Sequence, residues 1–172
     1  MTELIGKPAP AASVKTSDGK DLKIGAGSGR VQLLAFYASW CGFCKRAMPT
    51  AVEKLHKEFK DKGVEVIAVN LDERQQGARG RTEEQSLATY KEWNLTMPMT
   101  MDPSQKLGGE YKVRGYPTFV VVGRDGTVEA AHVGAPADFA STARPELNLL
   151  SQGKNRSAFP APPTPPPSAA QQ

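Results

Sequence analysis

The two cysteines of the chain, Cys41 and Cys44, stand in "ASWCGFCKRAMP" at 38–49, with Gly42 and Phe43 between them. Such a pair can grip a metal, staple a loop, or cycle between dithiol and disulfide. A structural zinc site calls for four ligands, usually a second Cys pair or two closely spaced histidines. Here His56 and His132 lie 76 positions apart and neither sits in a ligand cluster, so no metal is expected. A 41–44 disulfide closes almost no loop and removes little entropy from the unfolded chain. Redox chemistry remains, and the context suits it. A first Cys at a helix N-terminus gains thiolate stabilisation from free N–H groups and the dipole. A second Cys one turn in can attack a mixed disulfide from inside the protein.

The elements that must place this pair are legible on either side. "VQLLAFY", 31–37, is a short apolar run that reads as a buried strand ending before the cysteines. Met48, Val52, Leu55 and Phe59 recur at helical spacing, with a kink expected at Pro49 and a stop at Gly63. "VEVIAVN" at 64–70 and "TFVVV" at 118–122 read as two more buried strands; Asp125-Gly126 turns the latter into "TVEAAHV", 127–133. Asp18-Gly19 marks a hairpin over 14–24, "TEEQSLATYKEW" opens a helix at Thr82, and 104–112 is a short helix. Pro145 interrupts the last helical pattern, whose better half is 145–152. Alternating β and α elements argue for an α/β fold with a mixed sheet, parallel pairing first and antiparallel strands added late.

Composition bounds the rest. Hydrophobic residues make up 39% and charged residues 23% of 172, enough for one domain with a core. The net charge of +4 is scattered; Arg74, Arg79 and Arg81 form one local group, read as a solvated loop and not as a nucleic-acid surface. No apolar run reaches the ~20 residues of a membrane span, and "MTELIGKPAP" shows no signal-peptide pattern. From 157, "SAFPAPPTPPPSAAQQ" carries six prolines and no charge. The expected division is a domain over 1–153 and a disordered proline-rich tail over 154–172.

The segments "IGKPAP", "SDGKDLKI", "VQLLAFYASWCGFCKRAMP", "VEVIAVNLDE" and "YKVRGYPTFVVVGRDGTV", in that order over residues 4 to about 150, resemble thioredoxin-fold proteins of the TlpA/ResA type. The resemblance implies a central mixed sheet flanked by helices and a thiol-disulfide oxidoreductase without a cofactor. Such proteins are usually extracytoplasmic and often serve cytochrome c maturation or periplasmic disulfide reduction. A periplasmic location with a removed leader is therefore the expectation, with the cytoplasm as alternative. The resemblance assigns Cys41 as attacking thiol and Cys44 as resolving thiol. Trp40 becomes a wall beside Cys41, Phe43 a docking point for an apolar segment, and Pro117 a cis-proline opposite the cysteines. The backbone of Tyr116 would pair with the substrate chain by strand addition. The implied partners are cysteine-containing proteins and a thiol electron donor, with the protein itself a monomer.

Two departures stand out. The fold usually carries a carboxylate near the resolving Cys, six before the first Cys or three after the second; those places hold Ala35 and Ala47. Glu110 is the carboxylate to examine in their stead. Lys45 and Arg46 add positive charge that favours the dithiol and an oxidising disulfide, whereas the family mostly reduces. Reductive use is the expectation. Two other functions remain open. A copper carrier on the same fold would use Cys41, Cys44 and His132, though its relatives space their cysteines by three residues. A peroxidase needs Thr at the place of Ala38.

Overall fold

The structure, a computed structural model, describes residues 2–136 and 138–161. A hairpin of β1 (Ala12–Lys15) and β2 (Asp21–Ile24) precedes the main sheet, its loop turning through Asp18-Gly19. The sheet has the order β5-β4-β3-β6-β7: β3 is Val31–Tyr37, β4 Val64–Asn70, β5 Met99–Met101, β6 Thr118–Val122 and β7 Val128–Val133. β3 pairs in parallel with β4 and antiparallel with β6, so the strand that delivers the cysteines is central. Its seven residues are all buried, which explains the unbroken apolar run.

Strand alternation divides the core. Leu33, Ala35 and Tyr37 face a cluster containing both cysteines, Met48, Val52, Leu55, Phe59 and Phe119. Leu34 and Phe36 face a second cluster with Ile24, Ile67 and Tyr111. The helix after β3 runs as α1 (Gly42–Ala47), a π-helical turn over Met48–Val52, and α2 (Glu53–Phe59). The irregular turn holds Pro49, as a proline lacking its N–H and crowding the preceding turn requires. α3 (Glu83–Glu92) starts at Thr82 in a capping box with Gln85, and α4 (Lys106–Glu110) lies within the expected 104–112.

Three elements depart from the sequence reading. β5 has three residues and no periodicity to show it; its parallel pairing with β4 defines it. α5 spans Phe139–Ser151 without a break at Pro145. Phe139, Ala143, Leu147 and Leu150 are all buried along one stripe, and that burial outweighs the ~3 kcal/mol an internal proline costs. The folded chain also passes the boundary expected at 153. The Arg156 N–H donates to Glu129 Oε2 at 2.9 Å, Asn155 caps a short turn over Arg156–Ala158, and Phe159 packs on the core. Residues 162–172 of the expected tail lie outside the described residues.

Candidate active site

The site forms where β3 gives way to α1. Cys41 is the N-cap of α1 in extended backbone conformation, and its Sγ accepts the Cys44 N–H at 3.2 Å. This is the place a side-chain oxygen occupies at an ordinary N-cap, so the sulfur satisfies one of the free donors of the helix start. Cys41 is 6% exposed and Cys44 fully buried, so a substrate reaches only the first sulfur. Burial pushes the Cys44 thiol well above its ordinary value, the Cys41 side chain adds to the rise, and the Ala38 backbone opposes it.

The other residues singled out in the sequence gather around this pair. The Trp40 ring meets Tyr116 edge to face, centroids 5.4 Å apart. The Tyr116–Pro117 bond is cis, Pro117 is buried, and Tyr116 lies within electrostatic reach of Cys44. Phe43, between the cysteines, is 58% exposed with the Arg46 guanidinium over its ring at 4.8 Å. On the other side, the Arg79 guanidinium lies 4.2 Å over Trp40. That contact corrects the reading of Arg74, Arg79 and Arg81 as a plain solvated loop. Arg74 and Arg81 bind the loop's own carbonyls, and Arg79 reaches the wall of the site.

Two thiols in this arrangement can exchange a disulfide in two steps, and residues 4–145 match the Redoxin family. The chain belongs to the Redoxin family. Among its relatives, the thioredoxin-like protein YneN of Bacillus subtilis is 35% identical over 129 residues, covering 75% of this chain and 71% of that protein. The thiol-disulfide oxidoreductase ResA of Bacillus cereus is 31% identical over 130 residues, covering 76% and 70%. The crystal structure of StoA from Bacillus subtilis superposes with a TM-score of 0.64 at 25% identity, over 74% of this chain and 90% of that one. This redoxin is a thiol-disulfide oxidoreductase of the TlpA/ResA type with a thioredoxin-like fold.

One buried carboxylate near the cysteines was overlooked in the sequence reading. Ala35 and Ala47 are both buried and apolar. Glu110 is exposed at the end of α4, where its charge adds to the burial-driven rise of the Tyr111 hydroxyl. The carboxylate that does act on Cys44 is Asp72, fully buried just past β4. Asp72 accepts from the Ser39 N–H at 2.7 Å, the Ser39 hydroxyl at 2.5 Å, Asn70 Nδ2 at 3.0 Å and the Ser86 hydroxyl at 2.8 Å. These donors solvate a buried anion and tie Ser39, next to Trp40, to the end of β4. Its negative charge contributes to holding Cys44 protonated. A polar Asn-x-Asp at the carboxyl end of a buried parallel strand was the available signal, since such ends gather functional groups in α/β sheets. Beside it, the Tyr37 hydroxyl is buried and, among the described residues, has no hydrogen-bond partner.

His132 is engaged elsewhere. Its Nε2 lies 3.0 Å from both carboxylate oxygens of Glu146, and its ring meets Phe139 edge on. Among the described residues, no three His, Cys, Asp or Glu side chains cluster as metal ligands would. His56 is half-buried on α2, with desolvation holding its imidazole below the ordinary value.

Proposed function

We propose that this redoxin is a reductant of protein disulfides. Cys41 attacks one sulfur of a substrate disulfide and displaces the other as a thiol, leaving a Cys41–substrate mixed disulfide. Cys44 then attacks Cys41 Sγ, its proton leaves with the departing substrate thiolate, and the substrate is released fully reduced. The protein ends as the 41–44 disulfide, which a thiol donor returns to the dithiol. The observation that carries this reading is the asymmetry of the pair: Cys41 caps the helix and keeps a small exposed edge, while Cys44 is fully enclosed one turn behind it.

The reductive direction rests on the resemblance to TlpA/ResA proteins, most of which reduce, and it sets an expectation for the reduction potential of the 41–44 pair. Equilibration with glutathione or dithiothreitol buffers tests this. The expected potential is near that of thioredoxin, about −270 mV, and a value above about −180 mV would make the protein an oxidant instead. We also propose an extracytoplasmic workplace, on the resemblance to TlpA/ResA proteins. Fractionation of cells carrying the full-length gene product tests it, and recovery in the cytoplasmic fraction would refute it.

A further inference from the structure

Two aromatic rings flank the cysteines in the chain, Trp40 before Cys41 and Phe43 before Cys44, and each has a guanidinium carbon over it, at 4.2 and 4.8 Å from the ring centroid. A cation held over an aromatic ring by its charge still has N–H donors to spend on an anion. Arg46 and Arg79 are both exposed, and neither has a carboxylate within ion-pair distance among the described residues. Arg30 and Arg144, by contrast, are paired with Glu65 and Glu58, and Arg74 and Arg81 are used within their loop.

The Arg79 position is built. Glu73 and Gly80 bridge across the loop, the Arg81 N–H donates to the Glu73 carbonyl at 2.8 Å, and a Cβ on Gly80 would sit 1.5 Å from the Gln75 carbonyl oxygen. Only glycine permits that closure, which sets Arg79 over Trp40. The charge around the site leans one way. Lys45 is exposed next to Arg46 in the chain, while Glu73 is an exposed carboxylate that acts on Tyr116 and Asp72 is enclosed by its donors. Beyond Phe43 and Arg46, a cleft of about 400 Å³ continues over Ala47, Ala51, Ala135 and Pro136.

We propose that Arg46 and Arg79 form a two-sided carboxylate clamp, selecting substrate segments with acidic residues on both sides of the disulfide cysteine. The inference rests on the disulfide-exchange reading above and adds the substrate class. A substrate cysteine seated at Cys41 sends its neighbours toward Phe43 on one side and Trp40 on the other. Asp or Glu there meets the free edge of a guanidinium, a fork that matches a carboxylate in two hydrogen bonds.

The test uses three disulfide-linked peptides identical except for Glu, Gln or Lys at the flanking positions. Exchange with the reduced full-length protein is timed at low salt and at 1 M NaCl. The Glu peptide is expected to react about tenfold faster than the Gln peptide, the order expected of two exposed charge pairs, and the Lys peptide slower. The Glu-to-Gln ratio should fall toward one at high salt and in Arg46→Gln/Arg79→Gln. Taking a ratio cancels any change in Cys41 reactivity. A matched variant, Lys23→Gln/Lys154→Gln, removes the same charge from the hairpin and the segment after α5 and should keep the ratio. Equal rates for Glu and Gln peptides, or an equal loss in the matched variant, would overturn the clamp while leaving disulfide exchange in place. No exchange with any peptide would overturn both.

Discussion

The backbone N–H of Cys44 donates to Cys41 Sγ across 3.2 Å, so the residue proposed to resolve the mixed disulfide already holds the sulfur it would attack. Before the reaction the contact is a helix cap. In the proposed second step the same contact keeps the two residues adjacent at the helix start.

The first consequence is an order of labelling. Cys41 keeps a narrow exposed edge and Cys44 has none, so iodoacetamide should alkylate Cys41 about tenfold faster or more in the reduced protein. Peptide mass spectrometry over a time course reads the order. Equal rates would mean that the enclosure of Cys44 does not persist in solution.

The second concerns the proton on Cys44. Burial disfavours its thiolate, so the second step should accelerate from pH 6 to 9 as the ionised fraction grows. Ala47→Glu places a carboxylate one turn beyond Cys44 and should raise the rate near neutral pH, at a stability cost of about 1–3 kcal/mol for partly burying the acid. Single-turnover decay of a preformed mixed disulfide measures both. A flat, fast profile in the wild type would show that a base already serves Cys44.

Linkage gives the third. The Cys44 thiol is raised in the folded state relative to about 8.5 in the unfolded chain. Its contribution to stability is whole below that value. It shrinks as pH rises beyond it, because the unfolded chain releases the proton first. The reduced protein should thus lose stability between about pH 8.5 and 10. Cys44→Ala should lose less over the same interval in urea melts. Parallel curves for the two would contradict the assignment.

Asp72→Asn is the fourth. An amide turns N–H groups toward donors that now meet a carboxylate, leaving buried groups unpaired. A loss of about 2–4 kcal/mol is expected in denaturant melts, with slower exchange because Ser39 no longer fixes the approach to Trp40. Asp72→Asn with wild-type stability would remove this network from the account.

How far the sequence carried the reading can be judged at particular residues. The cysteine pair, the buried strand before it and the apolar stripe from Met48 to Phe59 were visible because each is a local pattern of spacing. Asp72 and Arg79 were not. Each acquires its role only when the end of β4, or the loop beyond it, meets the segment Ser39–Trp40 more than thirty residues away. β5 was invisible for the same reason: three residues become a strand by pairing. At Pro145 the local rule pointed the wrong way, because burial along α5 exceeds the cost of one proline.

The central claim is tested most directly by trapping the intermediate. Reduced Cys44→Ser, mixed with a disulfide-bonded protein substrate and analysed by non-reducing mass spectrometry, should accumulate a mixed disulfide joined through Cys41. Cys41→Ser should accumulate none and the wild type only a transient trace. A persistent adduct through Cys44 in Cys41→Ser, or no adduct in Cys44→Ser while the wild type reduces the same substrate, would contradict the assignment of Cys41 as the attacking sulfur.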